Sequence, residues 1–126
     1  MRKKILAVVS ALLGLLLINA GLNKFFFYMP VPEDLSEGLK QINQAVDQIG
    51  FLLPLIGAAE LVGGFFLLFS KTRALGLLVI LPVMTGVLLT HLMYDPIGIP
   101  MVVVIWCIML WIFVEDRHKF KPLLGK

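Results

Sequence analysis

The sequence has a single cysteine, Cys107, among its 126 residues, which excludes an intrachain disulfide and any two-cysteine redox relay. Charge is scarce as well. Only 15% of the residues are charged and 60% are hydrophobic, against about 25% and about 45–50% in an ordinary soluble domain. A small soluble fold buries the smallest fraction of its chain and has no room for so much apolar surface. The composition therefore argues against a water-soluble enzyme, a disordered chain and a disulfide scaffold. The sequence also lacks a phosphate-binding glycine loop, a hydrolase triad, an internal repeat and a low-complexity stretch.

What the sequence has is four apolar runs and a mean hydropathy of +0.97. Ile5–Leu22, Ala74–Tyr94 and Ile97–Val114 carry no charge, and Ile49–Phe69 is interrupted by Glu60 alone. A hydrocarbon core of about 30 Å needs about 20 helical residues, and each segment must satisfy its own backbone polar groups. The expected fold is all-α: one integral membrane domain over residues 1–126, a four-helix bundle with spans at about 5–22, 49–69, 74–94 and 97–114. The first run also has the outline of a secretory leader, with Arg2-Lys3-Lys4 before it and Ile18-Asn19-Ala20 near its end. It is longer than a usual leader core and reads as a retained span.

Basic residues orient the chain. Arg2, Lys3, Lys4, Lys71, Arg73, Arg117, Lys119, Lys121 and Lys126 fall on one side, while the other has only Lys24 and Lys40. The positive-inside rule places both termini in the cytoplasm, and the basic tail 115–126 faces anionic headgroups. Nucleic acid is not implied as a partner; the lipid bilayer is.

Between the first two runs, Leu35, Leu39, Ile42, Val46 and Ile49 form one helical stripe. This predicts a short outer amphipathic helix over about 34–48, resting in the headgroups or capping the bundle. Asp34 followed by Glu37 resembles a capping box, and Pro30 and Pro32 block an earlier helix start. Phe25-Phe26-Phe27-Tyr28 is expected at the interface.

Gly50, Gly57 and Gly64 recur every seven residues, marking a face for close helix packing. Glu60 shares that face, about 16 Å into the span at 1.5 Å per residue. An ionisable group at that depth is a functional-site hypothesis by default, with packing glue as the alternative. An unpartnered carboxylate in low dielectric would take up a proton, so Glu60 is expected to point inward, protonated or strongly hydrogen-bonded. His91 lies one turn before Asp95, a spacing at which a carboxylate orients an imidazole. Asn19 and Asn23 share a face at the end of the first span, beside Lys24. Asn19, Asn23, Lys24, Glu60, His91 and Asp95 all map to the outer half, a convergence that marks them as a candidate ligand pocket. Pro54 and Pro82 would loosen the second and third spans.

His91 and His118 fall on opposite sides and cannot share a haem. A zinc site wants three or four ligands, and only His91, Glu60 and Asp95 are candidates. The methionines Met29, Met84, Met93, Met101 and Met109 read as packing residues.

Gly21-Leu22-Asn23-Lys24-Phe25-Phe26, Met29-Pro30-x-Pro32, Pro54-Leu55-Ile56-Gly57-x-x-Glu60-Leu61-x-Gly63-Gly64 and His91-Leu92-x-x-Asp95-Pro96 occur in that order. Together they resemble the DoxX family of small four-helix bacterial and archaeal membrane proteins, over nearly the whole chain up to the fourth span. The family takes its name from a membrane subunit associated with thiosulfate:quinone oxidoreductase. The resemblance implies a bacterial cytoplasmic membrane location and carries over Asn23, Lys24, Glu60, Gly64, His91 and Asp95 as motif residues. It implies no catalysis by this chain alone, which has no cofactor motif. Three functions stay open. One is a membrane subunit that anchors a redox partner, with a quinone-sized pocket lined by Glu60 and His91. The second is a small transporter or channel with Glu60 as its proton-coupled carboxylate. The third is a structural assembly protein, and homo-oligomerisation is open in each case.

Overall fold

The computed structural model describes residues 2–28 and 35–125. They are all-helical, with no strand among them. In chain order the helices are α1 (Arg2–Phe26), α2 (Glu37–Gln48), α3 (Leu52–Leu67), α4 (Arg73–Tyr94), α5 (Ile99–Glu115) and α6 (Arg117–Phe120). A 3-10 turn over Pro96–Gly98 leads into α5, and another over Lys121–Leu124 follows α6. By length and hydropathy α1, α4 and the Pro96–Glu115 stretch are each able to cross a membrane. Helix α3 has 16 residues and meets that test only together with α2, to which it is bent by 98°.

Two features shorten α3 relative to its 21-residue apolar run. A turn at residues 49–51 precedes it, and a second turn at 68–72 follows. Pro54 sits in the first turn of α3, where the N–H it lacks has no intrahelical partner in any case. It therefore does not loosen the helix as its position in the longer run implied. Pro82 does lie inside α4, which continues unbroken to Tyr94.

Helix α1 lies along α3, α3 along α4 and α4 along α5, and α5 also touches α1. The α1–α3 contact is set by glycine. A Cβ on Gly14 would stand 2.5 Å from the Gly64 carbonyl oxygen, and one on Gly21 would stand 2.7 Å from that of Gly57. Gly14 pairs with Gly64 and Gly21 with Gly57, so the two helices run antiparallel with their backbones nearly in contact. Gly63 and Gly76 repeat the arrangement between α3 and α4. Of the expected packing glycines, Gly57 and Gly64 serve this role. Gly50 does not: it lies in the exposed turn before α3, with open space where a side chain would extend.

The core joins Leu13 and Leu17 of α1, Leu67 of α3, Ile80 and Met84 of α4, and Met109 and Ile112 of α5. Trp106 closes the α4–α5 contact by donating its indole N–H to the Met84 carbonyl at 3.1 Å. Phe120 of α6 also enters the core. Residues 116–120 thus pack back onto the ends of the longer helices. Asp116 explains why. Arg73 donates to both its carboxylate oxygens, at 2.8 and 2.9 Å, and Lys119 donates to the Ser70 carbonyl at 2.6 Å.

Helix α2 is amphipathic and buries no residue fully. Ser36 caps it, its hydroxyl oxygen accepting from the Leu39 N–H at 3.2 Å, as serine does at this position. The capping role expected of Asp34 falls on a residue outside those described, as do Pro30 and Pro32.

Candidate functional site

Helices α2, α3 and α4 enclose a groove of about 650 Å³. Its walls are mainly aliphatic: Leu39, Ile42 and Val46 from α2, Leu52 and Ile56 from α3, Val83 and Val87 from α4. The helical stripe on α2 is therefore turned toward the other helices. Gly38 permits this seating, since a Cβ there would stand 2.5 Å from the Tyr94 carbonyl oxygen.

Polar side chains line this apolar groove from four helices, Asn43 being the one from α2. Lys24, from the last turn of α1, reaches Glu60 of α3, with Nζ 2.5 Å from Oε1. Glu60 is 5% exposed, and both residues line the groove. The expectation that Glu60 turns inward to a polar group of the first span agrees with this geometry, and the partner is a cation. A buried carboxylate needs such a partner, because the desolvation of an isolated charge costs several kcal/mol. Position makes the pair possible. The bare Gly57 admits the Lys24 side chain, whose Cβ stands 3.1 Å from where a Gly57 Cβ would be, and the lysine chain reaches from there to Glu60, three residues on from Gly57.

His91 of α4 lines the same groove. Its Nδ1 lies 3.1 Å from Asp95 Oδ2 and 3.2 Å from the Asp95 carbonyl oxygen. The ring rests against Gly98, where a Cβ would stand 2.3 Å from Nδ1. Thr90 also lines the groove and donates its hydroxyl proton to the Gly86 carbonyl at 2.8 Å.

The six residues expected from the sequence thus divide. Lys24, Glu60 and His91 share the groove. Asp95 stands behind His91, buried at 8% exposure, and acts on the imidazole. Asn19 and Asn23 are not among the groove residues. Asn19 instead accepts from the Tyr28 hydroxyl through its backbone and side-chain oxygens, and the Asn23 carbonyl accepts from the Phe27 N–H at 2.7 Å. Both finish the α1 C-terminus, where Phe27 takes a left-handed conformation with φ 51°. Sequence reasoning missed Thr90 and the α2 wall as site residues. Thr90 is adjacent to His91, but a threonine in an apolar run carries no signal of its own. Among the described residues, no three His, Cys, Asp or Glu side chains form a metal-ligand set.

Compared with models of known protein families, with curated proteins and with solved structures, the chain has no match.

Proposed function

We propose that the protein is a DoxX-like four-helix integral membrane protein of the bacterial cytoplasmic membrane, serving as a membrane subunit of a quinone-linked redox system. The observation that carries this proposal is the Lys24–Glu60 pair in the wall of a mainly aliphatic groove. Binding pockets for lipophilic ligands have this character: mostly apolar walls of 300–1,000 Å³ with a few placed polar groups.

The outward faces support the membrane assignment. Val8, Leu12, Leu15 and Leu16 of α1, Leu75, Leu81 and Leu89 of α4, and Val104, Leu110 and Phe113 of α5 are all exposed. Helices apolar on every face belong in a large core or in lipid, and this chain is too small for the former. The basic asymmetry supports cytoplasmic termini, with the groove in the outer half and α2 at the outer interface. The redox partner is a second protein docked on this subunit.

A second reading, a small proton-coupled transporter, draws on the 98° bend between α2 and α3, since transporters use broken helices at their sites. The polar outer face of α2 fits an interfacial helix better. Affinity purification from native membranes, with analysis of co-purifying proteins and extracted lipids, tests the proposal. Recovery of an oxidoreductase together with stoichiometric quinone is expected. A protein purified alone, without quinone, that moves protons in vesicles would contradict it.

A further inference from the structure

His91 has one hydrogen-bonding edge already committed. Both atoms near its Nδ1 are oxygens of Asp95, a carboxylate and a backbone carbonyl, and both can only accept. Nδ1 must therefore carry the proton, an assignment made by the chemistry of its partners. With the proton on Nδ1, the uncharged form of the ring has Nε2 as a lone-pair acceptor. Because Asp95 and Gly98 occupy the Nδ1 edge, the edge left for the groove is the one bearing Nε2. The neighbouring Thr90 has spent its hydroxyl proton on the Gly86 carbonyl, so toward the groove it too offers lone pairs. Across the groove, the Lys24 ammonium has N–H groups beyond the one held by Glu60.

We infer that the α4 wall of the groove is acceptor-only and selects a lipophile whose head carries a hydroxyl donor, such as a hydroquinone or other phenol, over its carbonyl counterpart. This rests on the lipophile-binding function proposed above and adds the polarity of the head. The hydroxyl donates to His91 Nε2. A carbonyl oxygen placed there would face a lone pair and leave both groups unsatisfied in an apolar site. Asp95 is a positioning residue in this scheme: it touches no ligand and fixes which nitrogen of His91 carries the proton.

The test is a binding comparison on the full-length protein in detergent micelles, using decyl-hydroquinone under anaerobic conditions and the matching decyl-quinone. The wild type is expected to bind the hydroquinone about tenfold more tightly, the scale of one hydrogen bond made rather than opposed. His91→Phe keeps a planar ring against Gly98 and removes both nitrogens, so the ratio should fall to near one while the quinone affinity changes little. Asp95→Leu removes the carboxylate that holds the proton on Nδ1, leaving only the residue-95 carbonyl there, and should lower the ratio without loss of thermal stability beyond that of His91→Phe. Equal affinities in the wild type, or tighter quinone binding, would overturn the acceptor assignment and leave the lipophile-binding function standing. Binding of neither probe would overturn both.

Discussion

Lys24 and Glu60 meet at 2.5 Å although 36 residues separate them, the lysine a quarter exposed and the carboxylate almost wholly enclosed. The asymmetry matters energetically. Removing the cation leaves a buried carboxyl that must be desolvated as an anion or take up a proton, whereas removing both charges leaves an apolar wall, and the first change is by far the more damaging. Lys24→Met should therefore destabilise the protein by about 3 kcal/mol, the low end for a broken buried pair. Lys24→Met combined with Glu60→Leu should recover most of that loss. Thermal melts in detergent of both singles and the double check this, and a double variant no better than Lys24→Met alone would contradict it.

Glycine positions give a second expectation. Valine at Gly14 or Gly64 must push α1 and α3 apart, because the atom in the way is a backbone oxygen at 2.5 or 2.6 Å. Each should cost about 1–3 kcal/mol, the usual range for overpacking. Gly86→Ala has open space in the middle of a helix and should be neutral or stabilise by up to about 1 kcal/mol. Denaturation midpoints of the three variants distinguish these outcomes.

The ends and partners of the helices were less legible in the sequence than their existence. Three apolar runs became helices of spanning length, because hydrophobic length survives any detail of packing. The run over 49–69 became the shorter α3, since the chain turns at both ends where Gly50 and Ser70 lie. Gly57 and Gly64 stood out by their spacing and by Glu60 between them. Their partners Gly14 and Gly21 have the same seven-residue spacing but sit in a run with no charged residue. Lys24 and Glu60 were both candidates, yet nothing in one sequence pairs residues on different helices. Arg73 and Asp116 show the same limit at 43 residues' separation, with Arg73 legible only as a charge that orients the chain.

That second ion pair makes stability depend on acid. Burial pushes the Asp116 carboxyl up, but the hydrogen bonds and charge of Arg73, with Lys119 and His118 nearby, more than offset this and hold it below its usual range. A carboxyl lowered by folding stabilises the native state above its unfolded value of about 3.9, and the contribution is lost as pH falls through the folded value. The melting temperature of the wild type should therefore drop on acidification below about pH 4. Asp116→Asn should start lower at neutral pH and show a flatter acid limb. Parallel acid limbs would exclude Asp116 as their source.

Topology is testable apart from the ligand. In a Cys107→Ser background, cysteines introduced at the exposed positions Glu37 and Lys71 should react with a membrane-impermeant maleimide from opposite faces of spheroplasts, Glu37→Cys alone from outside. Labelling of both from one face would contradict four spans with cytoplasmic termini.

The central claim is that the groove beside Lys24 and Glu60 is a ligand site, and photolabelling tests it most directly. A short-chain azido-quinone, irradiated with the purified protein and mapped by peptide mass spectrometry, should attach to groove residues of α2, α3 or α4 such as Leu39, Ile56 and Val87. Excess decyl-quinone should prevent the labelling, and Glu60→Gln should abolish it while the protein stays folded. Labelling spread over the exposed faces of α1 and α5, insensitive to competitor and to Glu60→Gln, would contradict the account.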